Sequence, residues 1–470
     1  MTTSVNEPKK KESLHPFLPL IIMVILVAIA THFIPAGEFE RTEVNGRTIV
    51  EQGSFQYVES NPTSISDFFQ SFYYGFERGA GAMALIVFIG GTFGVLRKSG
   101  LLDLGVQGLT EKLKDKGIGV LALAVMTVIA INSGFTGMRE LDMIFIMLLI
   151  PIMLKLGYDS MTALGIVLVG SAAGFAPAVA NPFFTGIAHQ IAELPIYSAI
   201  AYRGMITIVF LFTGLWYVSR YAKKVKKDPS LSLVADEEIN FDASEHENSM
   251  EVQTMTPRLK AAGIAFLLLF ALMIMGTLKF GFGFPQISGV FVAKTVIVGY
   301  IAGFNTNKIC QAFLEGAQHV LGMVLIILFA RSILVVLEDA MVIDTIIHNL
   351  SYLIMGTSKN VSAIMIYVVQ TIINVVVPSG SGQAMITMPI IIPLADMGGI
   401  TRQVACLASQ LGDGITNYLY PTNGILMGVL AASGISWGKW ARFFLPLFAF
   451  WTVLAGVFIV IAQMIELGPF

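Results

Sequence analysis

The chain has 470 residues, is 55% hydrophobic and only 13% charged, and sets 29 Lys and Arg against 31 Asp and Glu. So little charge cannot cover a water-facing surface, and the net charge of −2 excludes a nucleic-acid partner, because affinity for phosphate backbones rests on clustered Lys and Arg. Cys310 and Cys406 are the two cysteines, too few for a zinc site or a disulfide framework; both read as reduced packing residues, and neither a metal site nor a cofactor is expected.

A bilayer core of roughly 30 Å takes about 20 apolar residues per helical span. Such runs cover residues 16–33, 80–96, 200–218, 259–278, 322–337 and 440–465, which predicts an all-α polytopic membrane protein. At the start, Lys9, Lys10 and Lys11 precede an apolar run that passes Ala28-Ile29-Ala30, a pattern similar to a signal-peptidase site. The run continues to Phe33, so the reading is an uncleaved first span.

Shifting the chain by about 240 residues aligns it with itself. Residues 93–109 (FGVLRKSGLLDLGVQGL) fall on 334–350 (LVVLEDAMVIDTIIHNL), with Asp103 beside Asp344. The same shift sets Pro151 beside Pro393, Gly174 beside Gly414 and Arg203 near Arg442. The expected organisation is a first repeat over 1–221, a charged cytoplasmic linker over 222–255 and a second repeat over 256–470.

Lys and Arg in short loops favour the cytoplasm. Lys9 to Lys11 put the N-terminus inside, and the polar segment 37–63 then lies outside. Arg97, Lys98, Lys112, Lys114 and Lys116 mark the next inside loop. The apolar run 118–131 is about 21 Å of helix at 1.5 Å per residue, short for a crossing, and it is followed by NSGFTG and a second apolar arm ending at Lys155. Residues 118–155 therefore read as a re-entrant hairpin, and 162–190 as a broken helix interrupted near Pro177 and Asn181-Pro182. In the second half an additional crossing at 287–304 inverts all that follows. The hairpin 360–396 then enters from outside, the broken helix spans 402–431, and the C-terminus ends outside. The count is nine crossings plus two opposed hairpins, in a bacterial plasma membrane.

Non-helical backbone at membrane depth survives only where protein buries it or it lines a watery cavity. The four breaks, NSGFTG, PSGSGQ, GFAPAVANPF and GDGITNYLYPTNG, fall in repeat-related pairs, and opposed half-helix ends at the midplane are how many secondary transporters hold solutes and coupling ions. The binding residues expected are Asn132, Ser133, Gly134, Thr136, Gly137, Arg139, Glu140 and Asn181 in the first half, then Ser379, Gly380, Ser381, Gly382 and Gln383 at the second hairpin. Asp413, Gly414, Thr416, Asn417, Thr422 and Asn423 complete them at the second broken helix. A helix beginning near Ala384 offers free N–H groups to an anion. Asp413 reads as a ligand for a substrate ammonium or a coupling ion, Na⁺ or H⁺, or as an N-cap. Arg139 reads as a fork for a substrate carboxylate or as a partner of Glu140 or Asp142. His189 reads as a packing residue, and Lys294 as snorkelling outward. Ser379 and Ser381 lack a nearby histidine to act as base, which argues against a hydrolase, and a channel is a weaker alternative to a carrier.

GYDSMTALG at 157–165, NPFF at 181–184, SGSGQAMITMPIIIPLAD at 379–396 and GDGITNYLYPTNG at 412–424 resemble the YfcC branch of the DcuC-type anaerobic dicarboxylate carriers, a group with arginine/ornithine exchangers within the ion transporter superfamily. The resemblance covers nearly the whole chain. It implies scaffold and transport domains, a homodimer and elevator-like movement of a small-molecule substrate. Relatives commonly carry two adjacent glutamates after the first hairpin tip, where this chain reads GMRELD. Arg139 replaces one acid, which weighs against exchange of basic amino acids and favours a small carboxylate-bearing metabolite, an amino acid or a dicarboxylate. Cysteines placed near Lys114 and at Lys155 should be labelled by impermeant maleimide from the cytoplasmic side, and one at Lys359 from the outside; labelling of all three from one side would exclude the inverted arrangement.

Overall fold

The computed structural model describes residues 17–44, 47–50, 53–101, 104, 117–137, 139–181, 184–195, 198–235, 256–280, 282–352 and 358–468. The basic residues Lys9 to Lys11, Lys112, Lys114 and Lys116, which orient the chain in the sequence reading, lie outside these, as do Asp103, Pro182 and most of the acidic linker.

Six described helices are long and apolar enough to cross a membrane: Ile65–Lys98, Ile118–Thr136, Ile200–Lys227, Phe284–Ile301, Lys359–Val376 and Trp437–Met464. Their outward faces carry large exposed apolar side chains, among them Phe212 and Trp216 on one helix and Phe450 and Val453 on another. Apolar belts of this kind mark a lipid-facing surface.

One group of helices is built around α2 (Ile65–Lys98), whose first turn is closed by a capping box between Ser64 and Asp67. Against it pack α9 (Phe284–Ile301), α10 (Thr306–His319) and α11 (Leu321–Asp339). In turn α8 (Pro257–Phe280) lies on α9, and α1 (Phe17–Ala30) on α11. In the second group α3 (Ile118–Thr136) and α4 (Asp142–Lys155), joined by a short turn, both pack on α5 (Ser160–Phe175), followed by the short α6 (Thr185–Ile191) and the long α7 (Ile200–Lys227). About 240 residues further on the same order returns. The hairpin of α13 (Lys359–Val376) and α14 (Gly380–Gly398) packs on α15 (Arg402–Thr416), with α16 (Gly424–Ser433) and α17 (Trp437–Met464) after it. The contacts cross over: α4 rests on α16, and α14 rests on α6.

The recurrence extends to single hydrogen bonds. Ser133 Oγ donates to Ser171 O at 2.8 Å, and Asn374 Nδ2 to Asp413 O at 3.1 Å. Arg203 donates to Pro177 O at 3.0 Å where α5 has ended, and Trp440 Nε1 to Tyr418 O at 2.8 Å where α15 has ended. A helix leaves its last carbonyls unsatisfied, and at depth in lipid no water meets them. The sequence alignment sets Arg203 near Arg442. In the structure Arg442 is exposed and Trp440 takes the corresponding place, because the need at that point is for a buried N–H, whatever side chain carries it.

Several expectations are corrected. The chain is not wholly helical: within the polar segment 37–63, β1 (Gly37–Glu38) pairs with β4 (Gln56–Tyr57) and β2 (Arg41–Val44) with β3 (Arg47–Val50), both antiparallel. This region is clamped to α12 (Ile343–Ser351) by Asp344, which accepts from Phe39 N at 3.0 Å and Arg41 at 2.7 Å, and by Phe55 stacked on His348 at 3.9 Å. The arm expected to stop at residue 131 continues to Thr136. Its polar side chains are satisfied without unwinding, Thr136 Oγ1 on Asn132 O at 2.7 Å and Ser133 on Ser171, so the shortness of that arm is not a reason to read it as re-entrant. The helix expected near Ala384 begins at Gly380. The linker does not start at 222, since α7 runs to Lys227 and residues 229–235 fold back, with Asp159 Oδ2 accepting from both Tyr221 and Ser232. Lys294 does not snorkel. It is fully buried, its Nζ 4.2 Å from the Phe291 ring centre and 4.8 Å from that of Phe270, because the aromatic faces of α8 and α9 stabilise the cation in place. Cys406 is buried as expected, whereas Cys310 is exposed on α10.

Gly174 and Gly414 sit inside α5 and α15 and serve close packing. A Cβ at Gly174 would lie 2.0 Å from Ala130 O, and one at Gly414 2.4 Å from Ala176 Cα. Gly174→Ala should therefore cost about 1–3 kcal/mol through overpacking, read as a lower Tm of the detergent-solubilised protein, while Gly119→Ala, with open space around it, should leave Tm unchanged or higher.

Candidate functional site

The second broken helix organises the site. The last turn of α15 carries Asp413, fully buried. Asn423 caps α16, its Oδ1 accepting from Leu426 N at 3.0 Å, so Asp413 is not the N-cap of the following half-helix. Asn417 Nδ2 lies 2.9 Å from Asp413 O and 3.0 Å from Asp413 Oδ1. The other carboxylate oxygen, Oδ2, has no hydrogen-bond partner. It faces the start of α14: a Cβ on Gly380 would stand 3.4 Å from it. The first N–H groups of a helix favour a negative charge, so the bare glycine lets α14 present that end to Asp413.

Arg139 arrives from the turn between α3 and α4. Its guanidinium donates to Asn417 O at 3.3 Å and to Asn423 Oδ1 at 3.1 Å. It also lies 4.8 Å from the Phe175 ring centre and 5.1 Å from that of Tyr418. Those two contacts join the first hairpin to the ends of both broken helices. Tyr418 in turn shares a 2.8 Å hydrogen bond with Ser171. Of the two roles open to Arg139 in the sequence, pairing with Glu140 or Asp142 is not seen: its donors go to Asn417 and Asn423, and neither oxygen of Asp142 makes a hydrogen bond. Glu140 and Asp142 are nonetheless buried beside it, and Arg331 of α11 faces Glu140 from the other helix group.

The structure thus gathers Arg139, Glu140, Gly380, Asp413, Asn417 and Asn423 of the expected residues. Others serve to hold helices together. Ser133 is committed to Ser171 O, Gly134 O accepts from Ala180 N at 3.0 Å, and Gly137 closes α3 with a φ of +68°. Thr136 bonds Asn132 O, Thr416 Oγ1 donates to Gly412 O at 2.6 Å, and Gln383 turns away to Gln370 O at 2.9 Å. Gly414 is a packing glycine. Asn181 is fully buried, and Gly186 N donates to its carbonyl. At the start of α14, Ser379 has extended backbone and stands 3.2 Å from the Cβ position of Gly382, while Ser381 is half-buried. Thr422 is buried with its hydroxyl unbonded. His189 is a packing residue, held against Arg203 and Gln403 at 3.4 and 3.2 Å.

Asp142, Ser171, Phe175, Asn374 and Tyr418 stand in the same buried cluster and are not among the binding residues expected from the sequence. Asp142 and Tyr418 lie within the stretches GMRELD and GDGITNYLYPTNG, where an acid or a phenol at membrane depth is itself a signal. Phe175 carries no such signal, since one aromatic among many apolar residues is indistinguishable from packing. Among the described residues no group of three or more His, Cys, Asp and Glu is placed to hold a metal ion.

Membrane-length helices surrounding two interrupted ones, with buried charges where the interruptions meet, define a membrane transporter. The chain belongs to the DcuC family: the family's model, described as a C4-dicarboxylate anaerobic carrier, matches residues 15–464. It is 28% identical, over 98% of each chain, to a protein of Escherichia coli K12 named "Putative basic amino acid antiporter YfcC". It is 30% identical to an uncharacterised protein of Haemophilus influenzae Rd, over 88% of this chain and 82% of that one. The Alcanivorax borkumensis YdaH transporter and Neisseria gonorrhoeae MtrF each align at 17% identity and a TM-score of 0.42, over 97% of this chain and 100% and 96% of theirs, a likeness too distant to inform the site.

Asn423→Ala should lower Tm by the loss of a cap, about 1 kcal/mol, and by more for the partner withdrawn from Arg139. Asn423→Asp keeps the acceptor for Leu426 N and Arg139 but turns a carboxylate oxygen onto Asn417 Oδ1, to which the amide now donates at 2.6 Å, so it should recover only part of the loss in the same thermal melt.

Proposed function

We propose that this transporter carries a small carboxylate-bearing metabolite, an amino acid or a dicarboxylate, across the bacterial inner membrane by ion-coupled symport or exchange. The observation that carries the reading is Arg139: a buried guanidinium, held by an amide oxygen and a backbone carbonyl with no carboxylate bonded to it, at the meeting point of both broken helices. A forked, permanently charged donor in a dry site is suited to a carboxylate. The family description of C4-dicarboxylate carriage supports the same substrate class.

Two opposed hairpins form an inverted repeat in this reading, with Arg139 and Gly380 near the midplane. The turn after α3 buries Arg139 and Glu140, whereas the turn of an ordinary crossing hairpin would lie at the membrane surface. The α2 group, with α8 to α11, serves as the scaffold of a homodimer. The hairpins and broken helices form the transport domain that slides past it, the N-terminus lies in the cytoplasm and the C-terminus outside. Asp413 Oδ2 takes the substrate ammonium or the coupling ion, Na⁺ or H⁺.

Exchange of basic amino acids is the second reading. The name of the Escherichia coli relative favours it, as do three buried acids, Glu140, Asp142 and Asp413. Arg139 opposes it, since a cationic side chain would meet a like charge in a low-dielectric site.

Thermal-shift screening of the purified protein against amino acids and dicarboxylates, with and without Na⁺, separates these readings: stabilisation by succinate and not by arginine favours the first. In proteoliposomes loaded with the stabilising compound, Asp413→Asn should abolish uptake while the protein still reaches the membrane. Arg139→Ala should raise KM about 30-fold or more, since removing one partner of a desolvated charge pair costs about 2–5 kcal/mol. Recovery of activity on adding Glu140→Gln to Arg139→Gln would instead reduce Arg139 to a charge-balancing role.

A further inference from the structure

We propose that Asp142 is a proton-carrying residue, protonated when Arg139 is free to take a substrate carboxylate and ionised when Arg139 turns back to it, so that one proton is taken up with each substrate carboxylate. This rests on the reading of Arg139 as the carboxylate-binding group.

Asp142 is 1% exposed, and neither of its carboxylate oxygens makes a hydrogen bond of ordinary geometry, the Ser171 hydroxyl being the side-chain donor that faces it from just beyond that reach. An ionised carboxylate in that condition is strongly destabilised, so the conformation described suits the neutral acid. The contrast with Asp413 is informative, since one oxygen of Asp413 is bonded to Asn417. Nor do the N–H groups of the first turn of α4 serve Asp142, because those of residues 142–145 are directed at the carbonyls of Arg139, Glu140 and Leu141.

The charged and titratable groups facing Asp142 are few. From its own segment come Arg139 and Glu140. After α15 comes Tyr418, and from α5 the hydroxyl of Ser171, which shares a hydrogen bond with Tyr418 and also faces Asp142. The cap of α16, Asn423, is engaged with Arg139 and Asn417. On the α2 and α11 side the neighbours of Met143, the next residue, are apolar: Met83, Ile86, Val320 and Ile327, and Arg331 faces Glu140. Arg139 is therefore the one cation acting on Asp142 among the described residues, and its guanidinium is directed elsewhere, onto Asn417 and Asn423.

Competition follows from this geometry. A proton on Asp142 removes its claim on Arg139 and leaves the guanidinium for an incoming carboxylate. Loss of that proton restores an uncompensated buried anion, and Coulomb attraction draws Arg139 back from the substrate. The proton comes from the aqueous side to which the site is open and leaves on the other; no covalent bond other than the O–H of Asp142 forms or breaks.

The test needs no substrate. Infrared spectra of the full chain in nanodiscs, titrated from about pH 5 to about pH 10, read the C=O stretch of protonated carboxylic acids. At neutral pH the wild type should show a band at the high frequency of a carboxyl with at most one weak hydrogen bond, absent from Asp142→Asn and displaced in Asp142→Glu. If Asp142→Asn does not fold, displacement in Asp142→Glu alone identifies the band. In Arg139→Ala the alkaline midpoint of that band should rise by about one pH unit or more, because a neighbouring positive charge that favours ionisation is gone. Spectra unchanged by substitution of Asp142 would overturn the proposal, and a midpoint unmoved by Arg139→Ala would overturn the competition. A failed uptake assay would leave these spectra untouched, so failure of the substrate reading and failure of the proton site are separable.

Discussion

Everything in this fold follows from one constraint: helices that end inside a bundle, out of reach of water, must have their open N–H and C=O groups satisfied by protein. The chain meets it with side chains sent from neighbouring helices. Arg203 reaches the carbonyl of Pro177, Trp440 that of Tyr418, Ser133 that of Ser171 and Asn374 that of Asp413. Asn423 receives the first N–H groups of α16. Each bond but the last joins two helices, so the interrupted backbone is both the costliest element of the structure and the one that ties it together.

That economy also explains the position of the charges. The ends of half-helices concentrate partial charge, and a fixed charge of the opposite sign is less costly there than elsewhere at membrane depth. Arg203 lies at the carbonyl end of α5, and Asp413 near the N–H end of α14. Arg139 is placed differently: it is held between the Phe175 and Tyr418 rings and bonded to one carbonyl and one amide oxygen. Its direct ligands are neutral, unlike those of Arg402, which pairs with Asp396 at the protein surface, and the buried acids Glu140, Asp142 and Asp413 act on it from beyond hydrogen-bond reach.

The two helix groups differ in what they bury. The deep contacts of α2 with its neighbours are mainly apolar, apart from Thr92 against Thr295; its ion pairs, Arg78 with Glu338 and Lys98 with Glu315, lie toward its ends, and Lys294 of α9 is enclosed by aromatic rings. The hairpins and broken helices bury amides, hydroxyls and acids together. Across the boundary Arg331 faces Glu140 and α11 rests on α16, so any displacement of one group against the other alters the field at the site.

Composition and spacing alone determined that this is a polytopic membrane protein, and they singled out GMRELD, SGSGQ and GDGITNYLYPTNG as polar stretches within apolar surroundings. These were legible because membrane depth makes every polar residue conspicuous against an apolar background. Tertiary structure alone decided which of those residues face one another. Ser133, Gln383 and Thr416 share the composition of a binding site but are engaged by neighbouring helices, through Ser171, Gln370 and Asn374, and such partners can lie over 200 positions away, as for Ser171 with Tyr418. The same holds for Asp142, which in the sequence is one more acid beside an arginine. Only packing shows that the arginine turns from it to Asn417 and Asn423 and leaves both carboxylate oxygens without a hydrogen bond, because that outcome is set by where α15 ends and α16 begins.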